Sequence, residues 1–169
     1  MLGFSIAAPA QSRGRSDVQK DSEYGKGGSL QIGGAQQFSL AFDWGVVIES
    51  DGQRYNGAPL FLGLTASYWT TDWFLLDASA NYLLSSKKFD LLFGPRFRTV
   101  TYPFSFVVGL KAGPIFFNDS SVRLGISPQA GFDLVLQRHV LLGLSYAPDI
   151  PLGDGGVSHR ILMSVGYRF

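Results

Sequence analysis

From residue 29 onward, large apolar side chains return at every second position. Leu30, Ile32, Phe38, Leu40, Phe42, Trp44, Val46 and Ile48 share one parity, and Gln31, Gln37, Ser39, Ala41, Asp43 and Gly45 hold the other. Period two is the alternation of a β-strand with two unlike faces. The pattern recurs over 59–70, 73–84, 89–100, 104–117, 122–137, 139–150 and 159–169, and with the run at 37–49 it predicts eight strands. Strands of soluble domains cluster near ~5–6 residues, whereas a tilted strand crossing a bilayer needs ~9–11. Every run here is of the longer kind.

The connections alternate too. "SDGQRYNGA", "SSKK", "NDSS" and "PLGDGGVS" follow the odd strands, while Thr71-Asp72, Thr101-Tyr102-Pro103 and Gln137-Arg138 follow the even ones. Longer loops on one side and tight turns on the other are the layout of an outer-membrane barrel. Alternation alone fits a soluble barrel equally, with its apolar face inward. The content of the polar face decides between them. It is rich in small residues, among them Gly63, Ser67, Ser79, Gly94, Ser105, Gly109, Gly113, Gly143 and Ser164. These suit the crowded inside of a narrow barrel, whereas the Leu, Phe, Val, Ile and Tyr of the other parity would overfill it. The prediction is an all-β fold over residues 29–169: an eight-stranded antiparallel up-and-down transmembrane β-barrel, apolar face to lipid and polar face to a narrow lumen.

Aromatic residues gather near the predicted strand ends. Trp69, Trp73, Phe74, Tyr102, Phe104, Tyr167 and Phe169 fall on the tight-turn side, and Tyr82, Phe89, Phe116 and Tyr146 on the loop side. Such residues form interfacial girdles at the two membrane surfaces. Trp69, Trp73, Tyr102, Phe104, Tyr167 and Phe169 are the predicted membrane-interface aromatics.

Composition agrees with a membrane surface. Charged residues make up 16% of the chain, against roughly 25% in ordinary soluble domains. No apolar run approaches the ~18 residues of a spanning helix, so a helical membrane protein is excluded. A net charge of +1 with no basic block gives no nucleic-acid footprint. The absence of cysteine removes disulfides, thiolate metal sites and cysteine nucleophiles. The opening "MLGFSIAAPA" ends in Ala8-Pro9-Ala10, like the small-residue cleavage site of a secretory signal, but lacks the basic n-region. "QSRGRSDVQKDSEYGKG" is polar and of mixed charge. Residues 1–28 therefore read as a signal-peptide remnant or a disordered N-terminal tail.

The final "SVGYRF", through Gly166, Tyr167 and Phe169, resembles the C-terminal signal by which the barrel assembly machinery recognises a last strand. With the strand pattern and the loop asymmetry, residues 29–169 resemble the small eight-stranded outer-membrane β-barrels of the outer membrane protein A and X type. No subfamily signature is present. The resemblance implies a monomer in the outer membrane of a Gram-negative bacterium, with both termini in the periplasm and four modest outer loops. Its implied partners are outer-membrane lipids, lipopolysaccharide and the assembly machinery, and no nucleic acid.

The inward parity carries Asp43, Asp77, Asp90, Arg96, Arg98, Lys111, Arg123, Asp133, Arg160 and Arg168, with Asn81 and Gln129 among them. Charges of both signs in a narrow lumen should pair, because an unpaired buried charge is costly. If Leu84 faces Phe89 across "SSKK", antiparallel register sets Asp77 directly opposite Arg96. The ladder reads as a sealed polar core, or alternatively as a narrow pore for ions or small solutes.

His139 and His159, the only histidines, begin strands seven and eight and so fall at opposite ends of the barrel. They make no joint metal or hydrolytic site, and each reads as a solvated turn residue. Lipid A deacylases of this fold resemble the chain in size, yet their His-x-Ser pair has no counterpart after His139 or His159. Lys87-Lys88 at a loop tip offers charge to lipopolysaccharide phosphates or simply solubilises a hairpin. Asp149 and Asp154 offer oxygens to Ca²⁺ or serve an ordinary turn. Asn118-Asp119-Ser120 fits the N-glycosylation pattern, whose machinery is not expected at a bacterial outer membrane.

The expectation is a non-enzymatic integral outer-membrane barrel, without cofactor or metal, with a structural or surface-interaction role through its loops. The alternative is the narrow pore, and the third reading is a lipid-modifying enzyme using outward residues near the outer rim.

Overall fold

A computed structural model of the chain describes residues 38–50, 59–101, 103–136, 139–153 and 156–169. Residues 1–28, the expected barrel start at 29–37, Tyr102, Asp154 and the Gln137-Arg138 turn lie outside the described residues. The strands are β1 (Phe38–Glu49), β2 (Leu60–Trp69), β3 (Phe74–Leu83), β4 (Lys88–Arg98), β5 (Phe104–Phe116), β6 (Val122–Leu136), β7 (Val140–Pro151) and β8 (Ser158–Arg168). They form one closed antiparallel barrel in chain order. β1 closes on β8 from Ser39↔Arg168 to Glu49↔Ser158, and the Phe169 N–H donates to the Phe38 carbonyl at 2.8 Å. Closure removes the open sheet edge that lipid could not hydrogen-bond.

The stagger of the barrel follows from its register. Paired residues lead from Phe74 through Phe97, Val108, Ala130, Tyr146, Ile161 and Val46 to Leu60, whose carbonyl accepts from the Leu84 N–H. One circuit thus returns from residue 74 to residue 84, a shift of ten. That shift over eight strands spaced ~4.8 Å apart tilts them by about 40°. Ten residues rising ~3.3 Å each then climb about 25 Å, the height of the apolar band on an outer-membrane barrel.

Burial alternates as the sequence predicts. Along β2, Leu60, Leu62, Leu64 and Tyr68 are exposed, while Phe61, Thr65, Ser67 and Trp69 are buried. All eight strands present exposed large apolar residues, such as Phe42, Leu76, Phe93, Phe106, Phe132, Leu144 and Met163. A water-soluble monomer rarely exposes more than a few hundred Å² of contiguous apolar surface. A belt running round the whole barrel is a surface for lipid.

Two expectations need correction. Across the β3–β4 hairpin the register is Tyr82↔Phe89, so Leu84 does not face Phe89, and Asp77 lies opposite Gly94 rather than Arg96. The hairpin turn takes residues 84–87, because Lys88 joins β4 with its side chain inward. Loop asymmetry is also narrower than expected. Residues 84–87 span no more chain than the 70–73 turn, so the longer connections are 50–59 and 152–157.

Closure of the seam between β1 and β8 depends on Gly45. A Cβ there would run into the Ile161 carbonyl of β8 and the Phe61 ring, neither of which is free to move. Gly45→Val is expected to lower the temperature at which the folded gel band converts to the unfolded one, and unchanged conversion would show that the seam accepts the side chain.

Candidate functional site: a charged lumen

Inward residues gather in three levels. At the middle, Asp77 Oδ2 lies 3.1 Å from Arg96 Nε and 3.5 Å from Lys111 Nζ. The predicted Asp77–Arg96 contact therefore exists, but diagonally, two residues off the directly opposed position. Arg96 also approaches Asp133 at 3.8 Å and donates to Ser67 Oγ at 3.2 Å. Asp43 accepts from Thr65 Oγ1 at 2.5 Å.

Toward the loop end, Arg160 lies 3.2 Å from Asp90 Oδ2 and also pairs with Asp149. The other Asp90 oxygen accepts from Asn81 Nδ2 at 2.6 Å. Above them, Lys88 Nζ is 2.7 Å from Glu49 Oε2, and Ser158 Oγ donates to the same oxygen at 3.1 Å. Lys88 and Arg123 both lie over the Phe117 ring, at 5.3 and 4.9 Å. Lys88 thus serves the lumen rim, and only Lys87 remains at the hairpin tip, where its φ of 53° is left-handed.

At the tight-turn end Trp69 points into the lumen. It was expected at the membrane interface, but only 2% of it is exposed. It shares the inward parity of Phe61, Thr65 and Ser67, and parity overrides the tendency of aromatics at strand ends to face the interface. Its Nε1 donates to Ser39 Oγ at 3.1 Å, and the Arg98 and Arg168 guanidinium groups lie 4.9 and 4.2 Å from the ring. Leu75, Val135 and Leu141 pack with it, while Val47, Phe61, Leu83, Ala147 and Leu162 form a second apolar cluster in the loop half. Trp69→Phe keeps the ring and drops one buried hydrogen bond. The expected loss is about 0.5–1.5 kcal/mol in denaturant unfolding, and a loss several times larger would show that ring shape matters more than the bond.

The other expected interface aromatics within the described residues, Trp73, Phe104, Tyr167 and Phe169, are outward and exposed at the tight-turn end. Neither histidine is a merely solvated turn residue. His139 Nδ1 is 3.1 Å from the Arg168 carbonyl, and the ring stacks on Tyr167. His159 Nδ1 is 2.6 Å from the Tyr146 hydroxyl. The two sit at opposite ends of the barrel, as expected. Asp149 is turned into the lumen, where it pairs with Arg160 rather than offering itself to a cation.

Outside the strands, Asp119 Oδ1 accepts from the Ser121 hydroxyl and N–H, at 2.5 and 3.0 Å. These bonds hold its carboxyl below the usual carboxylate range. The β5–β6 tip is thus supported at neutral pH, and the support is lost as acid protonates the group.

Sequence reasoning missed Glu49, Lys88 and Asp149 as lumen residues. Parity could have found them, since each falls an even number of residues from an inward Asp43, Asp90 or Gly143. The apolar lumen residues were missed because small and polar residues on the same face drew the reading.

No family model matches the chain, and no curated protein matches it. Solved structures do. Neisserial surface protein A is similar over 78% of this chain and 97% of its own, at 13% identity and a TM-score of 0.62. The N-terminal β-barrel domain of Pseudomonas aeruginosa OprF covers 79% and 98% at 14% identity, with a TM-score of 0.53. A de novo designed transmembrane β-barrel covers 80% and 98% at 14% identity, also with a TM-score of 0.53. The chain has the fold of the small eight-stranded outer-membrane β-barrels. That a designed barrel shares it makes plain that the scaffold itself carries no particular function.

Proposed function

We propose that the chain is a non-enzymatic integral barrel of the bacterial outer membrane, acting as structural support or in surface interaction through its outer loops. The observation that carries this reading is the packing of the lumen. Arg168, Phe61, Leu75, Leu83, Leu92, Val107, Val135, Asp90, Ser105 and Ser127 are each less than 2% exposed. A recess at the loop end, lined by Lys88, Asp90, Phe117, Asp149 and Ser158, has a cavity volume of ≈ 10 Å³, room for about one water.

With its middle filled by paired charges and apolar side chains, the barrel meets other molecules through its outer wall and its loops. Outer-membrane lipids fit the apolar belt, and lipopolysaccharide phosphates fit the exposed Lys87 and the half-exposed Arg123 at the loop end. The assembly machinery fits the closing β8 with its Tyr167 and Phe169, and the barrel acts as a monomer.

Asp77, Asp90, Asp133 and Asp149, which would favour a pore, are engaged with Arg96, Lys111 and Arg160. In planar bilayers the purified barrel is expected to give no steady conductance. Stable ion-selective steps altered by neutralising Asp77 or Lys111 would contradict the sealed core and establish the pore.

A further inference from the structure

The seams of the barrel are not equally complete. β5 and β6 pair without a break from Phe104↔Leu134 to Phe116↔Val122, as β1 and β8 do along their shared length. Between β6 and β7, pairing stops at Ile126↔Ile150 and resumes at Ala130↔Tyr146. At the centre of the gap, register sets Pro128 opposite Pro148.

The Leu152 N–H donates to the Leu124 carbonyl at 2.7 Å, which fixes the phase of the ladder. Every second pair from there exchanges two hydrogen bonds, and Pro128/Pro148 falls on such a position. Proline has no N–H, so this pair loses both bonds, and neither facing carbonyl receives a donor from across the seam. Mid-sheet proline is otherwise confined to edges and bulges, and a closed barrel has no edge. Pro95 and Pro114 interrupt the β4–β5 seam at two separate places, where each faces a leucine that keeps its own N–H, so each of those pairs loses one bond rather than two.

Two side chains bridge the β6–β7 gap from inside: Gln129 Nε2 on β6 donates to Ser145 Oγ on β7 at 2.9 Å, and Arg160 spans the strands on the loop side of it. Arg160 Nη2 donates to Ser127 Oγ on β6 at 3.3 Å and also to the Asp149 carboxylate on β7, and its Nε reaches the Ala147 carbonyl at 3.5 Å. Ser127, Ala147 and Asp149 are the chain neighbours of the two prolines. On the outside, Pro148 pairs with His159, which with the Tyr146 hydroxyl makes a polar pair on the lipid-facing wall. Polar groups thus stand on both sides of this interrupted stretch of wall, in the loop half of the barrel.

We propose that the β6–β7 seam opens sideways and receives, within the wall between the two strands, the head group of an amphiphile from the bilayer leaflet at the loop end, with Arg160 and Gln129 as the latch. On opening, Arg160 releases Ser127 and Gln129 releases Ser145, and the freed donors meet a hydrogen-bond-accepting head group. The inference rests on the barrel lying in a membrane.

The chain has no cysteine, so Ser127→Cys introduces a single thiol behind the seam. Ser79→Cys is the control, on a strand whose ladders are unbroken on both sides. Each variant is reconstituted in phosphatidylcholine vesicles and treated with a long-chain N-alkyl maleimide or with a charged, water-soluble one. The lipid-borne reagent is expected to label S127C about tenfold faster than S79C and faster than the water-borne reagent does. Adding Pro128→Val and Pro148→Val, which restores the missing N–H groups, is expected to bring S127C down to the S79C rate. Equal rates for the two thiols, no effect of the valines, or faster labelling from water would overturn the seam while leaving the membrane barrel standing. Failure of the parent chain to insert into the vesicles would overturn both.

Discussion

Replacing Arg160 with Met is expected to destabilise the barrel by about 3–5 kcal/mol, because the change strands two buried carboxylates. Asp90 and Asp149 both pair with this guanidinium, and it is 2% exposed. Denaturant unfolding in detergent micelles, followed by the mobility of the folded gel band, measures the loss. Adding Asp90→Asn and Asp149→Asn to the same chain removes the stranded charges. It is expected to recover most of the loss, since a neutral replacement for a complete buried ion cluster is close to neutral in stability. If the triple variant is no better than R160M, Arg160 acts through packing against Phe61, 5.6 Å away, and not through its charge.

The second large effect belongs to the outer wall. Leu64 is outward and 51% exposed at the middle of β2, which in water would make it an ordinary site for a charge. In a bilayer, Leu64→Arg is expected to cost about 2–4 kcal/mol, falling to about 0–1 for Leu60→Arg near the loop-side rim. Folding yield and unfolding midpoint in vesicles report the difference. Equal, negligible costs at both positions would mean that no hydrocarbon surrounds the strand.

Much of this fold was legible in the sequence because one constraint dominates it. A single alternating parity had to satisfy a narrow lumen and a lipid exterior at once, so Phe38 to Ile48 and Leu60 to Tyr68 could be assigned to a face without a structure. Parity also governs the exceptions. Trp69 was placed at the interface by its residue type and moved to the lumen by its position, and Lys88 was placed in a loop although it shares a face with Asp90.

Register was less legible. It depends on where a hairpin turn ends, and a one-residue change at each side of 84–87 moves Arg96 from directly opposite Asp77 to a diagonal neighbour. The long arginine spans that shift, which is why the ion pair survives an error in the register. Pairings among distant strands, such as Arg160 with Asp90 or Lys88 with Glu49, were illegible. They depend on the stagger accumulated around the whole circuit, which no local pattern reveals.

The central claim is that this barrel is sealed inside and faces lipid outside. Nitroxide labels placed singly at each position from Leu60 to Trp69 in vesicles test it directly, through collision with oxygen dissolved in lipid and with a water-borne nickel chelate. Oxygen accessibility is expected to peak at residues 60, 62, 64, 66 and 68 and to fall at those between, with low nickel accessibility at both parities through the middle of the strand. Nickel accessibility peaking at 63, 65 and 67 would reveal a water-filled channel, and peaks at 60, 62 and 64 would place the outer wall in water.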